Sequence, residues 1–245
     1  MKLKVVETSL NLHVECGRDR MDYTLSREVA EKQLLLGADV YANVEFMECD
    51  NASYITAFKE AGYNIYTAVD EPRHRGVLYA VKKEYEVEEI ASMQDPHMFH
   101  IRISKGKDYM DMITLRLLVE GSNDADFIDR KQQWDKVMKY IDDLDEKEHL
   151  ILTGDWNHGV IAEFYLKHQA RRFFNYQMIV KSLQEKNMEI FNIEGMSFRG
   201  FMKIDHIAGS KCARVLDAEY HDLFPQQYGI GIPDHKMIVA NLACV

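Results

Sequence analysis

Five short segments of the chain place a carboxylate, a carboxamide or an imidazole at the end of an apolar stretch. They are Ser9-Leu10-Asn11, Val44-Glu45, Gly154-Asp155-Trp156-Asn157, Ile204-Asp205-His206 and Pro233-Asp234-His235. Taken singly, each has a plain structural meaning: Asn11 a turn residue, Glu45 a solvated acid, Gly-Asp-x-Asn a turn signature, a lone histidine a satisfied polar group. Taken together, they supply what phosphate-ester hydrolysis needs. That chemistry requires a cation for the phosphoryl oxygens, an oriented water, and stabilisation of developing charge. Glu45 and Asp234 offer hard oxygen ligands, which suit Mg²⁺ or Mn²⁺. Asp155 is the candidate to orient or deprotonate the water. Asn157 can hold that water or a phosphate oxygen without adding negative charge, and Asn11 can do similar work at the metal or at Asp155. His235 is a candidate electrophile toward the phosphate, with general base as the alternative role.

Rigid elements must present these groups. Residues 3–11, 38–46, 64–68, 76–83, 98–104, 109–118, 149–154, 188–193, 204–209, 212–219 and 236–243 read as strands, rich in Val, Ile, Tyr and Phe. Residues 24–36 and 53–61 read as helices closed by Gly37 and Gly62. Phe127, Trp134, Val137, Met138, Ile141 and Leu144 recur at helical spacing between Asp124 and Leu144. A mostly helical, interrupted stretch is expected over 161–186. Many strands lack a crossover helix, which points to a mixed-sheet α/β sandwich rather than a doubly wound parallel sheet.

Composition sets outer bounds. The 245 residues, nearly half of them hydrophobic and without a Pro- or Gly/Ser-rich linker, read as one domain over 1–245. The net charge of -10 disfavours broad binding to a polyanion, although a local basic rim and a metal can reverse the field at a site. The acidic runs Glu84–Glu89 and Asp142–Glu148 read as solvated faces. The four cysteines form no C-x-x-C pair and are expected to be reduced. No stretch approaches a membrane span, and the opening apolar run is too short for a signal peptide, so a cytoplasmic location is expected.

In order and context the five segments resemble the endonuclease/exonuclease/phosphatase family. Its pattern has Asn ending the first strand, Glu ending the second, then G-D-x-N, an Asp after an apolar residue, and a final D-H. The resemblance spans residues 11–235 and implies a four-layer αββα sandwich, two mixed β-sheets with helices outside. It implies Asn11, Asp155, Asn157, Asp205 and His235 as catalytic residues, Glu45 and Asp234 at the metal, and Asp205 as the partner of His235. The strand Gly76–Val81, with Arg130 and Gln133 on the long helix, resembles other stretches of the family. His206 should face away from the site and be structural; His13 is a modest candidate for the cleft. One departure stands out. Arg116 occupies the place where many relatives carry His or Tyr near the phosphate, either as a surface residue or as a guanidinium that binds phosphate directly. The substrate stays open between nucleic acid and a small or lipid-borne phosphate ester such as a phosphoinositide. A catalytically silent binding protein is the third alternative. The stretches Lys167–Tyr176 and Arg73–Arg75 loosely fit a basic nuclease rim.

Overall fold

A computed structural model describes residues 1–12, 25–161, 172–227 and 229–244. The elements run β1 (Lys2–Ser9), α1 (Arg27–Leu34), β2 (Val40–Phe46), α2 (Ala52–Glu60), β3 (Tyr63–Ala68), β4 (Gly76–Lys82), β5 (Glu86–Gln94), β6 (His97–Lys105), β7 (Asp108–Arg116), α3 (Asp124–Asp142), β8 (Leu150–Ile161), α4 (Tyr176–Glu185), β9 (Glu189–Ile190), β10 (Met202–Gly209), β11 (Ala213–His221) and β12 (Met237–Cys244). The first sheet has the order β11-β12-β1-β2-β4-β3, the second β5-β6-β7-β8-β10-β9. Each sheet is mixed because one central pair is parallel, β1 with β2 and β7 with β8.

Strand alternation sorts the core into three apolar layers. Val5, Val44, Tyr79, Met112, Ile151, Ile207 and Ala240 face between the sheets. Val6, Tyr41, Leu78 and Val239 turn outward against Val29 of α1 and Tyr54 and Phe58 of α2. Leu115, Leu152 and Trp156 turn outward against Trp134 and Val137 of α3 and Ile179 and Leu183 of α4. The result is the four-layer αββα sandwich. Among the described residues no helix is long and apolar enough to cross a membrane.

Several sequence-based boundaries shift. The run 149–154 is only the start of β8, which continues through the Gly-Asp-Trp-Asn segment to Ile161. Glycine at 154 therefore marks close strand approach, not a chain reversal. Its φ is +133°, and a Cβ there would lie 2.0 Å from the Leu115 carbonyl oxygen on β7. The acidic run 84–89 feeds edge strand β5, whose Glu86, Glu88 and Glu89 are solvated, so charge masked its strand pattern. The expected strand 188–193 shrinks to Glu189–Ile190. The helical expectation over 161–186 is met by α4 at Tyr176–Glu185, Ile161 ends β8, and residues 162–171, with Lys167 and Arg171 of the candidate basic rim, lie outside the described residues, as does His13.

Gly154→Ala is expected to destabilise the protein by about 3 kcal/mol, because it adds left-handed strain to a backbone clash. Chemical denaturation checks this; a change under about 0.5 kcal/mol, the range of a neutral surface substitution, would contradict it.

Candidate active site

At one end of the sandwich the inward-facing rows change from apolar to charged. On β1 the row Leu3, Val5 continues as Glu7 and Ser9, both buried. On β7 and β8 it ends in Arg116 and Asp155, which are register partners at the parallel pair. On β10 it ends in Asp205, opposite Asp155 across the antiparallel pair.

Glu45 reaches the same space through a bulge. Val44 faces between the sheets, so strict alternation would send Glu45 out to the helices. The register with β4 shifts between Val44 and Phe46, and Glu45 has φ +60°. The bulge re-aims Glu45 into the site and leaves Phe46 in the outer core. A second shift, between Lys203 and Asp205, precedes Asp205. Asn11 and Asn157 also have left-handed backbones, with φ +54° and +45°. Such conformations store strain and cluster where function demands them.

Opposite charges meet across the sheets. Arg116 places Nη2 2.8 Å from Glu45 Oε1 and Nε 3.5 Å from Asp155 Oδ2. Arg75 donates to the same Glu45 oxygen at 2.9 Å, and the Ser9 hydroxyl donates to Oε2 at 3.1 Å. Burial pushes the Glu45 carboxyl up, but Arg116 and Arg75 outweigh it and hold Glu45 below its ordinary value. His235 sets Nδ1 2.9 Å from Asp205 Oδ2 and packs at a tilt against Phe198, ring centroids 4.6 Å apart. Burial opposes charge on that imidazole. Asp205, Asp155 and Asp234 prevail and raise it to about 10, so it is an imidazolium at neutral pH. Burial and then Asp205 push Asp155 up to about 7.

Asn157 donates its backbone N–H to Asp155 Oδ1 and its amide to Asp155 Oδ2 and the Leu117 carbonyl. The backbone N–H and one amide hydrogen of Asn157 thus orient Asp155, and the other amide hydrogen ties the segment to the end of β7. Arg130 donates to the Asn157 carbonyl, and Gln133 bonds both main-chain groups of Leu118, so α3 braces this segment. Asn11 donates to the carbonyls of Gly229 and Ile232, tying the end of β1 to the loop that leads to His235. Asp234 faces Arg199 at 3.6 Å and His235 at 3.9 Å. Arg116 is not a surface residue: its side chain is 11% exposed. His206 points away, sandwiched by Trp156 and Tyr176, and burial lowers it to about 4.

Glu7 was not singled out as a site residue from sequence. It lies beneath the cluster, 1% exposed, with no hydrogen-bond partner for either carboxylate oxygen. Burial, then Asp205 and Asp155, raise it well above its ordinary value. The only signal was an acid inside an apolar strand.

One group of side chains at the site could hold a metal ion. Asp155, Asp205 and His235 bring ligand atoms within 4.8 Å of one another, and this group includes neither Glu45 nor Asp234. The protonated His235 is a poor ligand, whereas the raised Asp155 and the orphaned oxygens of Glu7 mark excess negative charge. A cavity of about 610 Å³ between β9 and β11 lies away from all these residues.

No protein-family model and no curated protein matches the sequence. Solved structures do. An endonuclease/exonuclease/phosphatase from Beutenbergia cavernae aligns with TM-score 0.70 and 13% identity, over 99% of this chain and 72% of that one. D. rerio TDP2 complexed with single strand DNA product aligns with TM-score 0.62 and 13% identity, over 98% of each chain. ANGEL2, a 2′,3′-cyclic phosphatase in complex with adenosine-2′,3′-vanadate, aligns with TM-score 0.65 and 12% identity, over 99% and 96%. The chain has the endonuclease/exonuclease/phosphatase fold.

Glu7, Asp155 and His235 all hold protons more tightly folded than unfolded. Their favourable contribution is complete below the unfolded-chain values and is lost as pH rises through the folded ones. His97 and His206, lowered to about 4, oppose this loss in the acid range, so metal-free protein should lose unfolding free energy between about pH 7 and pH 10, where His235 still holds its proton only when folded. Glu7→Gln should flatten that slope, and Glu7→Leu should raise stability at pH 8 by about 1–3 kcal/mol. Denaturant titrations at several pH values check this, and a flat or rising profile would contradict it.

Proposed function

We propose that the protein is a divalent-metal-dependent phosphoesterase of the endonuclease/exonuclease/phosphatase family, hydrolysing a phosphate ester by attack of water. The observation that carries this reading is the Asp205–His235 pair beside Asp155, with Arg116 linking Asp155 to Glu45. The nuclease and phosphatase structures that share the fold support it.

The residues divide the work by charge. The His235 imidazolium, held by Asp205 through Nδ1, offers its other nitrogen to a phosphoryl oxygen and neutralises charge that grows in the transition state. Asp155 is a carboxylate whose proton affinity is matched to neutral pH, as a group that takes a proton from water should be. Asn157 positions it. Arg116 supplies a guanidinium for the phosphate once Glu45 turns to a metal. Glu45 and Asp234 are the carboxylates we assign to Mg²⁺ or Mn²⁺, with Asp155 joined to Glu45 through Arg116 and Asn11 at the margin of the same site. Bound there, the metal would polarise the phosphoryl group and lower the proton affinity of a water.

Hydrolysis of phosphate esters should require Mg²⁺ or Mn²⁺ and stop with a chelator. Asp155→Ala and His235→Ala should each lower kcat by about 10²–10⁴-fold, and Arg116→Ala should lower kcat/KM. Steady-state assays on DNA, RNA, a generic phosphodiester and phosphorylated sugars and inositides decide. Absence of metal-dependent turnover on all of them, or undiminished turnover in the Asp155 and His235 variants, would falsify the assignment.

A further inference from the structure

Four strands form the outer edges of the sheets: β11 and β3 in the first, β5 and β9 in the second. An open edge invites another strand, so proteins blunt it with charge, a bulge or brevity. Three of the four are blunted. β5 carries exposed Glu86, Glu88 and Glu89. β9 is two residues long. β11 has a register shift between Val215 and Asp217, and its Arg214, Asp217 and Glu219 are exposed. β3 has none of these devices. Its sequence Tyr63-Asn64-Ile65-Tyr66-Thr67-Ala68 holds no charge and no proline, and it pairs with β4 in unbroken register. A cavity of about 440 Å³ runs beside Tyr63, Asn64, Ile65 and Tyr66.

Charge sits at the two ends of this edge, with opposite sign. At its start, Lys59 of α2 and Lys83, whose N–H donates to the Gly62 carbonyl, line the cavity. Neither lysine makes an ion pair among the described residues, since the neighbouring Glu60 is taken by Arg27 and Glu84 by Lys105. Just past its end, Asp70 and Glu71 are exposed, with His74 as their one charged partner among the described residues.

We infer that β3 is a dimerisation edge, pairing antiparallel with β3 of a second copy of this chain about a two-fold axis perpendicular to the sheet. Such an axis keeps each face of the sheet continuous, so it pairs positions of like parity and is centred on Ile65 or Tyr66. Either centre brings the lysine end of one copy to the Asp70–Glu71 end of the other, and does so twice. A two-fold contact must be self-complementary, and this charge order makes the edge so. The acidic strand β5 lies on the same flank, but its Glu86 and Glu88 stand opposite Ser104 and Arg102, on the face turned away from the first sheet. The loop held at the joint also carries Arg75, the partner of Glu45.

Sedimentation equilibrium of the full chain, from about 1 to about 100 µM, should show a monomer–dimer equilibrium. Thr67→Lys puts a charge on the edge and should weaken the dimer at least about tenfold. Lys83→Glu and Glu71→Lys each set like charges together at both ends of the joint and should weaken it about tenfold. The double variant exchanges the two signs and should recover the dimer, which a misfolded chain could not do. Amide exchange over residues 63–68 should slow as the concentration rises. A chain that stays monomeric at about 100 µM overturns the inference and leaves the edge to a foreign strand. A dimer that all three single variants leave intact uses another face and overturns it too, as does a double variant no tighter than its parents.

Discussion

A carboxylate taken out of water must find a positive partner or give up its charge. This constraint governs the open end of the sandwich. Glu7, Glu45, Asp155 and Asp205 are all buried there. Glu45 is settled by two arginines and Asp205 by His235. Asp155 and Glu7 are left short of positive charge, and both answer by holding protons. The same shortage that weakens the fold gives the site its chemistry. It makes an imidazolium of His235, tunes Asp155 toward neutral pH, and leaves room for a cation.

The scaffold delivers this density of charge by departing from regularity at a few points. The bulge at Glu45 reverses the parity of β2 for one residue, exchanging an outward acid for an inward one. Gly154 lets β8 lie against β7 so that Asp155 and Arg116 become neighbours. Asn157, in a left-handed turn of the backbone, uses its amide to fix Asp155. Each of these decides where a charged group of the site points.

The sequence carried the architecture well wherever hydrophobic pattern and turn chemistry agreed. The strands of both sheets other than β5, the long helix Asp124–Asp142, and the glycine stops after the first two helices were legible from periodicity and turn residues. The order of Asn11, Glu45, Asp155, Asp205 and His235 was legible only as a constellation. Three things were not. β5 was hidden because an edge strand with one solvated face can be acidic. The length of β8 was hidden because Gly-Asp-x-Asn is also how turns are written. Glu7 was hidden, and Arg75 was legible as part of a basic rim but not as the partner of Glu45, because burial and long-range pairing are properties of the folded chain: a glutamate in an apolar strand and an arginine in a loop look ordinary until a second sheet is laid against them. Arg116 is the intermediate case, where strand register decided between surface and site.

Two ion pairs of the site, Arg116 with Glu45 and His235 with Asp205, join different sheets. Glu45 and Arg75 come from the first sheet or its loops, Arg116 and Asp155 from the second. Asp205 lies in the second sheet, while His235 leads into β12 of the first. The charged groups of the site are therefore not carried by one sheet. They form a gauge of how the two sheets are docked, and a slip of one sheet over the other would disassemble the site with every strand intact. Any anion or cation lodged among them acts as a fastener between the halves, so occupancy of the site and mechanical cohesion of the sandwich rise and fall together.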